Sequence, residues 1–255
     1  MATLRKNDIL SLLRAEGKAT VDYLADRFGV TVQTVRRDLT ELEQEGSVSR
    51  VHGGAMLRGG ITNIEYDERR GLHALEKEQI GKLVADHIPS NTSLFINIGT
   101  TTEAVARALL DNENMTVVTN NMNVANILAG NPSCEVMVSG GTLRRSDGGL
   151  IGDLATQMIE QFKVDIAIIG ASALDDDGDM LDFDLREVGV SKSIIRHARR
   201  VFLATDSSKF ERTAPVRIAS LSDIDAVFID RRMPGDLSQR CAEWGTAVHI
   251  VDQNL

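Results

Sequence analysis

Thr31-Val32-Gln33-Thr34-Val35-Arg36-Arg37-Asp38-Leu39-Thr40 is the stretch on which the reading of this chain turns. Val32, Val35, Leu39 and Leu42 recur at steps of three and four residues, the spacing of one buried helical face. Gln33, Arg36, Arg37 and Thr40 share the opposite, outward stripe. Thr31 offers a capping hydroxyl at the start, and Gly46 ends the helix. A helix that keeps a Gln and two Arg outward near its N-terminal half suits the DNA major groove. Arg forks onto guanine edges and Gln onto adenine, while the hydroxyls of Thr31 and Thr34 can take phosphate oxygens. The plainer reading is a solvated face on which Arg36 and Arg37 pair with Asp38, Glu41 or Glu43.

The flanking residues favour the DNA reading. Upstream, Ile9, Leu10, Leu12 and Leu13 mark a helix over 6–15 that stops at Gly17. Val21, Leu24, Ala25 and Phe28 mark a second, closed by Gly29. Two helices joined by a short glycine-bearing turn form a helix-turn-helix pattern. Downstream, Ser47 to Ala55 reads as two short strands around Gly53-Gly54, a wing from which Arg50 and His52 can reach the DNA backbone or minor groove.

Charge supports the same division. The 255 residues carry 28 Lys+Arg and 37 Asp+Glu, a net charge of −9. Residues 1–60 hold nine basic and eight acidic side chains, which leaves −10 for the rest. So acidic a body does not bind polyanions in general, but its near-neutral head can bind nucleic acid. An architectural protein that wraps DNA without sequence preference is disfavoured on the same ground. No apolar run reaches the roughly 18 residues needed to span a bilayer, and no signal-peptide core follows Met1, so a soluble cytoplasmic protein without membrane partners is expected. Cys134 and Cys241 read as reduced thiols, and the five histidines form no metal-ligand spacing. Neither a metal nor a cofactor is expected.

Residues 58–74 are polar and glycine-bearing and read as a linker. Beyond them short apolar strands alternate with amphipathic helices. Helices are expected at 75–88, 123–129, 150–162 and 184–198. Strands are expected at 93–98, 115–119, 135–139, 165–170, 201–205, 226–230 and 247–251. This alternation predicts an α/β fold with a mostly parallel sheet covered on both faces. Ligands of such sheets sit at the carboxyl ends of the strands. Four strand ends here run into Gly99-Thr100-Thr101-Thr102, Asn120-Asn121, Gly140-Gly141 with Arg144, and Asp206-Ser207-Ser208-Lys209. Glycine beside a helix start, hydroxyls, amides and two cations together make phosphate chemistry. Taken singly, each of these is as readily a turn, a cap or a solvated side chain.

Several of these strings resemble one family. Thr31 to Leu39 followed by Gly46, Arg50 and His52-Gly53-Gly54-Ala55 resembles the amino-terminal signature of the DeoR family of bacterial transcriptional regulators. Ile98-Gly99-Thr100-Thr101, Thr119-Asn120, Gly140-Gly141 with Arg144, and Asp206 with Ser208-Lys209-Phe210 resemble its effector domain. The chain departs from the family pattern at Asn97, where Asp is common, and at Glu211, where Gly is usual. The resemblance implies a winged helix-turn-helix at 1–57, a linker at 58–74 and a sensor domain at 75–255, similar in fold to ribose-5-phosphate isomerase and the CoA-transferase-like group. It implies a repressor of carbohydrate or polyol catabolism genes. Operator DNA is its partner, and it is released by a small phosphorylated metabolite, glycerol 3-phosphate or a sugar phosphate, and works as a homodimer or homotetramer. Thr31, Gln33, Thr34, Arg36, Arg37, Thr40, Arg50 and His52 would meet DNA. Gly99, Thr100, Thr101, Thr102, Asn120, Asn121, Gly140, Gly141, Arg144 and Lys209 would meet the effector. The rival reading is a sugar-phosphate isomerase-like enzyme with an accessory head. It needs a carboxylate base such as Asp182, Asp184 or Glu187 and leaves the DNA-reading helix without a purpose.

Overall fold

The computed structural model describes residues 2–16, 18–44, 47–51, 53–57 and 66–251. They fall into two compact units, Met1–Ile64 and Glu65–Leu255. His52, expected in the wing, and Arg58, at the start of the expected linker, lie outside the described residues.

The first unit contains α1 (Ala2–Glu16), β1 (Lys18–Thr20), α2 (Val21–Phe28), α3 (Val32–Gln44), β2 (Val48–Val51) and β3 (Gly54–Leu57). Local chemistry sets the helix ends. The Thr20 hydroxyl accepts the Tyr23 N–H at the start of α2, and Gly29 closes that helix in the left-handed region at φ +61°. The Thr31 hydroxyl accepts the Thr34 N–H at 3.2 Å and so caps α3. Ile9, Leu13, Leu24, Val35, Leu39, Leu42 and Val48 are buried together as the core. The wing is a three-stranded sheet in the order β1-β3-β2, one strand more than its sequence suggested, because Lys18–Thr20 pairs antiparallel with β3. Gly54 is what lets β1 approach: a Cβ there would lie 2.1 Å from the Ala19 carbonyl oxygen.

The second unit contains α4 (Tyr66–Gly71), α5 (Ala74–Ala85), β4 (Ser93–Ile96), α6 (Thr100–Ala108), β5 (Met115–Thr119), α7 (Met122–Leu128), β6 (Cys134–Val138), β7 (Thr142–Arg144), β8 (Gly149–Ile151), α8 (Asp153–Ile159), β9 (Val164–Ile169), β10 (Ala173–Leu174), β11 (Asp179–Asp182), α9 (Leu185–Arg196), β12 (Ala198–Ala204), β13 (Val216–Ser220), β14 (Ala226–Ile229), α10 (Leu237–Trp244) and β15 (Ala247–Ile250). A seven-stranded sheet runs in the order β15-β14-β12-β9-β4-β5-β6, and every pairing in it is parallel. Its central strands are buried on both sides. Ile80, Val84, Val105, Val124 and Leu128 pack on one face. Ala155, Ile159, Val188, Ile194 and Leu237 pack on the other. Gly81 allows α5 to close on α6, since a Cβ there would meet the Ala104 carbonyl oxygen at 2.6 Å.

The stretch 150–162 does not form the single helix its apolar pattern suggested. Leu150 and Ile151 belong to β8, which pairs with β7 as a hairpin, and α8 begins only after Gly152 at φ +95°. Residues 66–71, read from sequence as the end of a linker, form α4 of the second unit.

Chain order runs outward from β4 to β5 and β6, then returns to β9 on the other side of β4 and continues to β12, β14 and β15. The switch point therefore lies between β4 and β9, and the loops at its carboxyl end are those that a ligand of such a sheet meets.

Candidate functional site

In the first unit, α3 buries Val35, Leu39 and Leu42 and leaves Gln33, Arg36, Arg37 and Thr40 exposed. Asp38 does not pair with its neighbouring arginines. It is buried and takes a forked contact from Arg5 of α1, at 2.6 and 3.2 Å. Lys6 meets Glu41 at 2.8 Å, so α1 braces the inner side of α3. Arg37 pairs with Glu41 at 3.1 Å on the surface. Among the described residues nothing pairs with the Arg36 guanidinium. The hydroxyl of Thr40 donates to the Arg36 carbonyl at 2.8 Å, and the Thr31 and Thr34 hydroxyls meet at 2.9 Å. Arg50 of the wing is exposed and reaches the Arg36 carbonyl at 3.4 Å. The result is an outward row of donors, Gln33, Arg36 and Arg37, on a helix braced from behind by α1, with Arg50 of β2 beside it.

In the second unit, the loops after β4, β5, β6 and β12 emerge at one end of the sheet. Hydrogen bonds stitch three of them together. The Thr119 hydroxyl donates to the Ile96 carbonyl at 2.6 Å, the Ser139 N–H to the Thr119 carbonyl at 2.9 Å, and the Leu150 N–H to the Asn120 carbonyl at 2.7 Å. Gly99 at φ +148° turns the chain from β4 into α6. Thr102 anchors that turn through its hydroxyl, which lies 2.7 and 2.8 Å from the Asn97 and Gly99 carbonyls. Thr100 and Thr101 are largely buried residues at this turn, and no described group hydrogen-bonds their hydroxyls. Three fully buried atoms nearby have no partner among the described residues: Asn120 Oδ1, Asn121 Nδ2 and Ser139 Oγ. Buried polar groups are almost always paired, and leaving one unpaired costs about 1–3 kcal/mol. These atoms cluster at the carboxyl ends of β5 and β6, where each still has hydrogen-bonding capacity.

The cations divide into two kinds. Lys209 is buried, and no described group hydrogen-bonds its ammonium. Burial pulls its pKa down to about 7, against the pull of Asp206. Asp206 itself is held below its usual value. Burial works to raise it, but Lys209, the Ser208 hydroxyl and Lys77 outweigh that. Lys77 of α5 is also buried and lies near Asp206, with its pKa lowered to about 8 by burial. Arg144, in contrast, is saturated. It meets Asp147 at 2.6 Å, Glu187 at 2.6 Å and Asp184 at 3.4 Å, and Asp147 also takes Arg69 at 3.5 Å. Burial opposes the Arg144 charge, yet these carboxylates hold its pKa above the ordinary arginine value. Burial, helped by Asp182, raises Glu187 to about 7 despite Arg144. Gly141 serves packing, because a Cβ would lie 2.8 Å from the Ile151 carbonyl oxygen, and Gly140 is exposed beside the edge strand. A shallow depression bounded by Asn114, Ser133 and Glu135 lies at the opposite, amino-terminal end of β5 and β6, away from these groups.

Comparison with known proteins follows the same division. The DeoR-like helix-turn-helix domain matches residues 5–58, and the DeoR C terminal sensor domain matches residues 72–231. The chain belongs to the DeoR family. Among its DeoR-family relatives, the glycerol-3-phosphate regulon repressor of Escherichia coli K12 is 43% identical over 237 residues, covering 93% of this chain and 94% of that one. The transcriptional repressor CsqR of the same strain is 38% identical, covering 92% and 90%. The glycerol-3-phosphate regulon repressor of Haemophilus influenzae is 42% identical, covering 89% and 88%. Of solved structures, ribose 5-phosphate isomerase A from Neisseria gonorrhoeae is similar at a TM-score of 0.37 and 16% identity, over 52% of each chain. The eIF2B beta structure from Chaetomium thermophilum is similar at 0.47 and 12%, over 83% of this chain and 59% of that one.

Two buried groups of this DeoR-family chain were not singled out by its sequence, Lys77 and Glu103. Each sits in an amphipathic helix where a charge reads as solvated. A signal was present for Glu103, since it follows the Gly99–Thr102 turn directly. None was present for Lys77.

Proposed function

We propose that this protein represses genes for the catabolism of a polyol or sugar, and that a small phosphorylated metabolite releases it from its operator. The head reads the major groove through Gln33 and Arg36, while Arg37, Arg50, His52 and the hydroxyls of Thr31, Thr34 and Thr40 meet the backbone. The effector's phosphoryl group sits at the start of α6, among the N–H groups and hydroxyls of Thr100 and Thr101 beyond Gly99, with Lys209 as counter-charge. Asn120, Asn121 and Ser139 take the hydroxyls of its carbon chain. Thr102, Gly140, Gly141 and Arg144 shape the loops and do not touch the ligand. This narrows the expected effector set, in which Arg144 was a second cation.

The single observation that carries this reading is the gathering of unpaired buried polar groups with an unbridged lysine at one end of the sheet. Two of the relatives are named for a glycerol-3-phosphate regulon, so glycerol 3-phosphate is the first candidate ligand. The protein acts by binding rather than by catalysis. The carboxylates an isomerase would need, Asp182, Asp184 and Glu187, are committed to Arg144, to Ser172 and to backbone N–H groups. It acts in the cytoplasm as a symmetric dimer or tetramer, which places two heads on a two-fold operator. No helix among the described residues is long and apolar enough to cross a membrane.

Titration calorimetry with glycerol 3-phosphate and a panel of sugar phosphates tests the reading. Binding is expected to one phosphorylated compound, to be lost in Lys209→Met and weakened in Thr101→Ala, and to be absent for the unphosphorylated parent. Equal binding by wild type and Lys209→Met would place the phosphate elsewhere.

A further inference from the structure

The chain enters the second unit at α4, and both ends of that short helix are fastened to groups of the proposed pocket. The Tyr66 hydroxyl lies 2.8 and 3.0 Å from the two oxygens of Glu103, and 3.0 Å from Asn123 Nδ2. Glu103 is buried in the first turn of α6, where its N–H donates to the Gly99 carbonyl at 3.0 Å. At the other end, the Lys77 ammonium donates to the Arg69 and Leu72 carbonyls at 2.5 and 2.6 Å and so holds the last turn of α4 and the residue after it. The Lys77 side chain is also within electrostatic reach of Asp206 and Glu103. Arg69 Nη2 lies 3.5 Å from Asp147, and its buried Nε has no partner among the described residues.

We propose that α4 is the element through which occupation of the pocket reaches the DNA-binding unit, with Tyr66 and Lys77 as its two fastenings. The proposal rests on the effector reading above and adds its route of transmission. A dianion arriving at the start of α6 changes the charge balance at both fastenings. It attracts the Lys77 ammonium, which then leaves the α4 carbonyls. It repels the Glu103 carboxylate one turn away, which weakens the grip on Tyr66. An effector shifts an equilibrium only through contacts that differ between two states, and these two contacts supply that difference. The fastened state holds the operator-binding arrangement, and the effector favours the released one.

The test uses the full-length protein, glycerol 3-phosphate or whichever sugar phosphate calorimetry identifies, and an operator recovered from a pool of random duplexes. Tyr66→Phe removes only the hydroxyl. It is expected to weaken operator binding without effector and to tighten effector binding, because it shifts the balance toward the released state. The release ratio, operator dissociation constant with effector over that without, is expected to shrink at least about threefold from a wild-type value of order 5–150. Hydrogen exchange on the wild type is the second measurement. Amides of residues 66–72 are expected to exchange faster when effector is added. A wild-type release ratio in Tyr66→Phe, or unchanged exchange over 66–72, overturns the proposal. If wild type binds no phosphorylated compound at all, it is the effector reading that fails, whereas normal binding and release with an indifferent α4 sinks only this inference.

Discussion

Arg144 and Glu187 meet at 2.6 Å, the arginine side chain 18% exposed and the glutamate 10%. The contact ties the β7–β8 hairpin to α9 and opposes the burial that raises the glutamate's pKa. Removing one partner of such a pair leaves the other charge uncompensated, typically at about 3–5 kcal/mol. Arg144→Met is therefore expected to lower the unfolding free energy of the second unit by about that much, measured by urea denaturation. Effector affinity, measured under conditions where the variant is folded, is expected to change little. A stable variant with lost effector binding would return Arg144 to the pocket.

Lys209 makes effector binding depend on pH. Burial lowers its pKa in the free protein to about 7, and a dianion alongside raises it. Between those two values, binding takes up a proton. Affinity is then full below pH about 7 and falls as pH rises, with a lower bound near pH about 6 where a phosphate ester takes its own second proton. Calorimetry in two buffers of different ionisation enthalpy reads the proton directly. For the unliganded fold the sign is opposite. The unfolded chain binds this proton up to about 10.5, so the Lys209 contribution to stability improves as pH rises from about 7 toward that value.

Gly54 is expected to tolerate no side chain. An added Cβ would meet backbone, the Ala19 carbonyl oxygen at 2.1 Å, and backbone cannot swing aside as a long side chain can. Gly54→Ala should destabilise the head by about 1–3 kcal/mol or more by overpacking. Operator binding should fall while the second unit melts at its normal temperature. A head as stable as wild type in differential scanning calorimetry would show that β1 and β3 do not pair this closely in solution.

On α3, two adjacent arginines are expected to behave differently. The Arg36 guanidinium has no partner among the described residues, and the Ala variant should cost about 1–3 kcal/mol of operator binding and relax base preference. Arg37 is bound to Glu41 on the surface, a contact of about 0–1 kcal/mol. Its loss should weaken all duplexes alike and reduce the salt slope by about one. Selection from random duplexes with each variant distinguishes the two. An unchanged consensus in Arg36→Ala would remove that residue from base reading.

Sequence legibility followed the range of the interactions. The helices of the head and both faces of α3 were readable because caps and periodicity act within one turn. The parallel sheet and its strand ends were readable because buried strands are short apolar runs. What escaped depends on partners far along the chain. Asp38 belongs to Arg5, 33 residues away. Leu150 and Ile151 adjoin a real helix, and only pairing with β7 and the contact of Gly149 with Asn121 makes them a strand. β1 is three residues long and exists because Gly54 leaves room for it. Lys77 looks like any surface lysine until the fold buries it against the carbonyls of α4.

The most direct measurement is fluorescence anisotropy of a labelled operator with the full-length protein, at one fixed salt concentration, with and without saturating glycerol 3-phosphate or the sugar phosphate that calorimetry selects. Operator affinity is expected to fall by a factor of order 5–150 in wild type and to stay constant in Lys209→Met. An operator affinity indifferent to a compound that demonstrably occupies the wild-type pocket would contradict the link between phosphate sensing and DNA release.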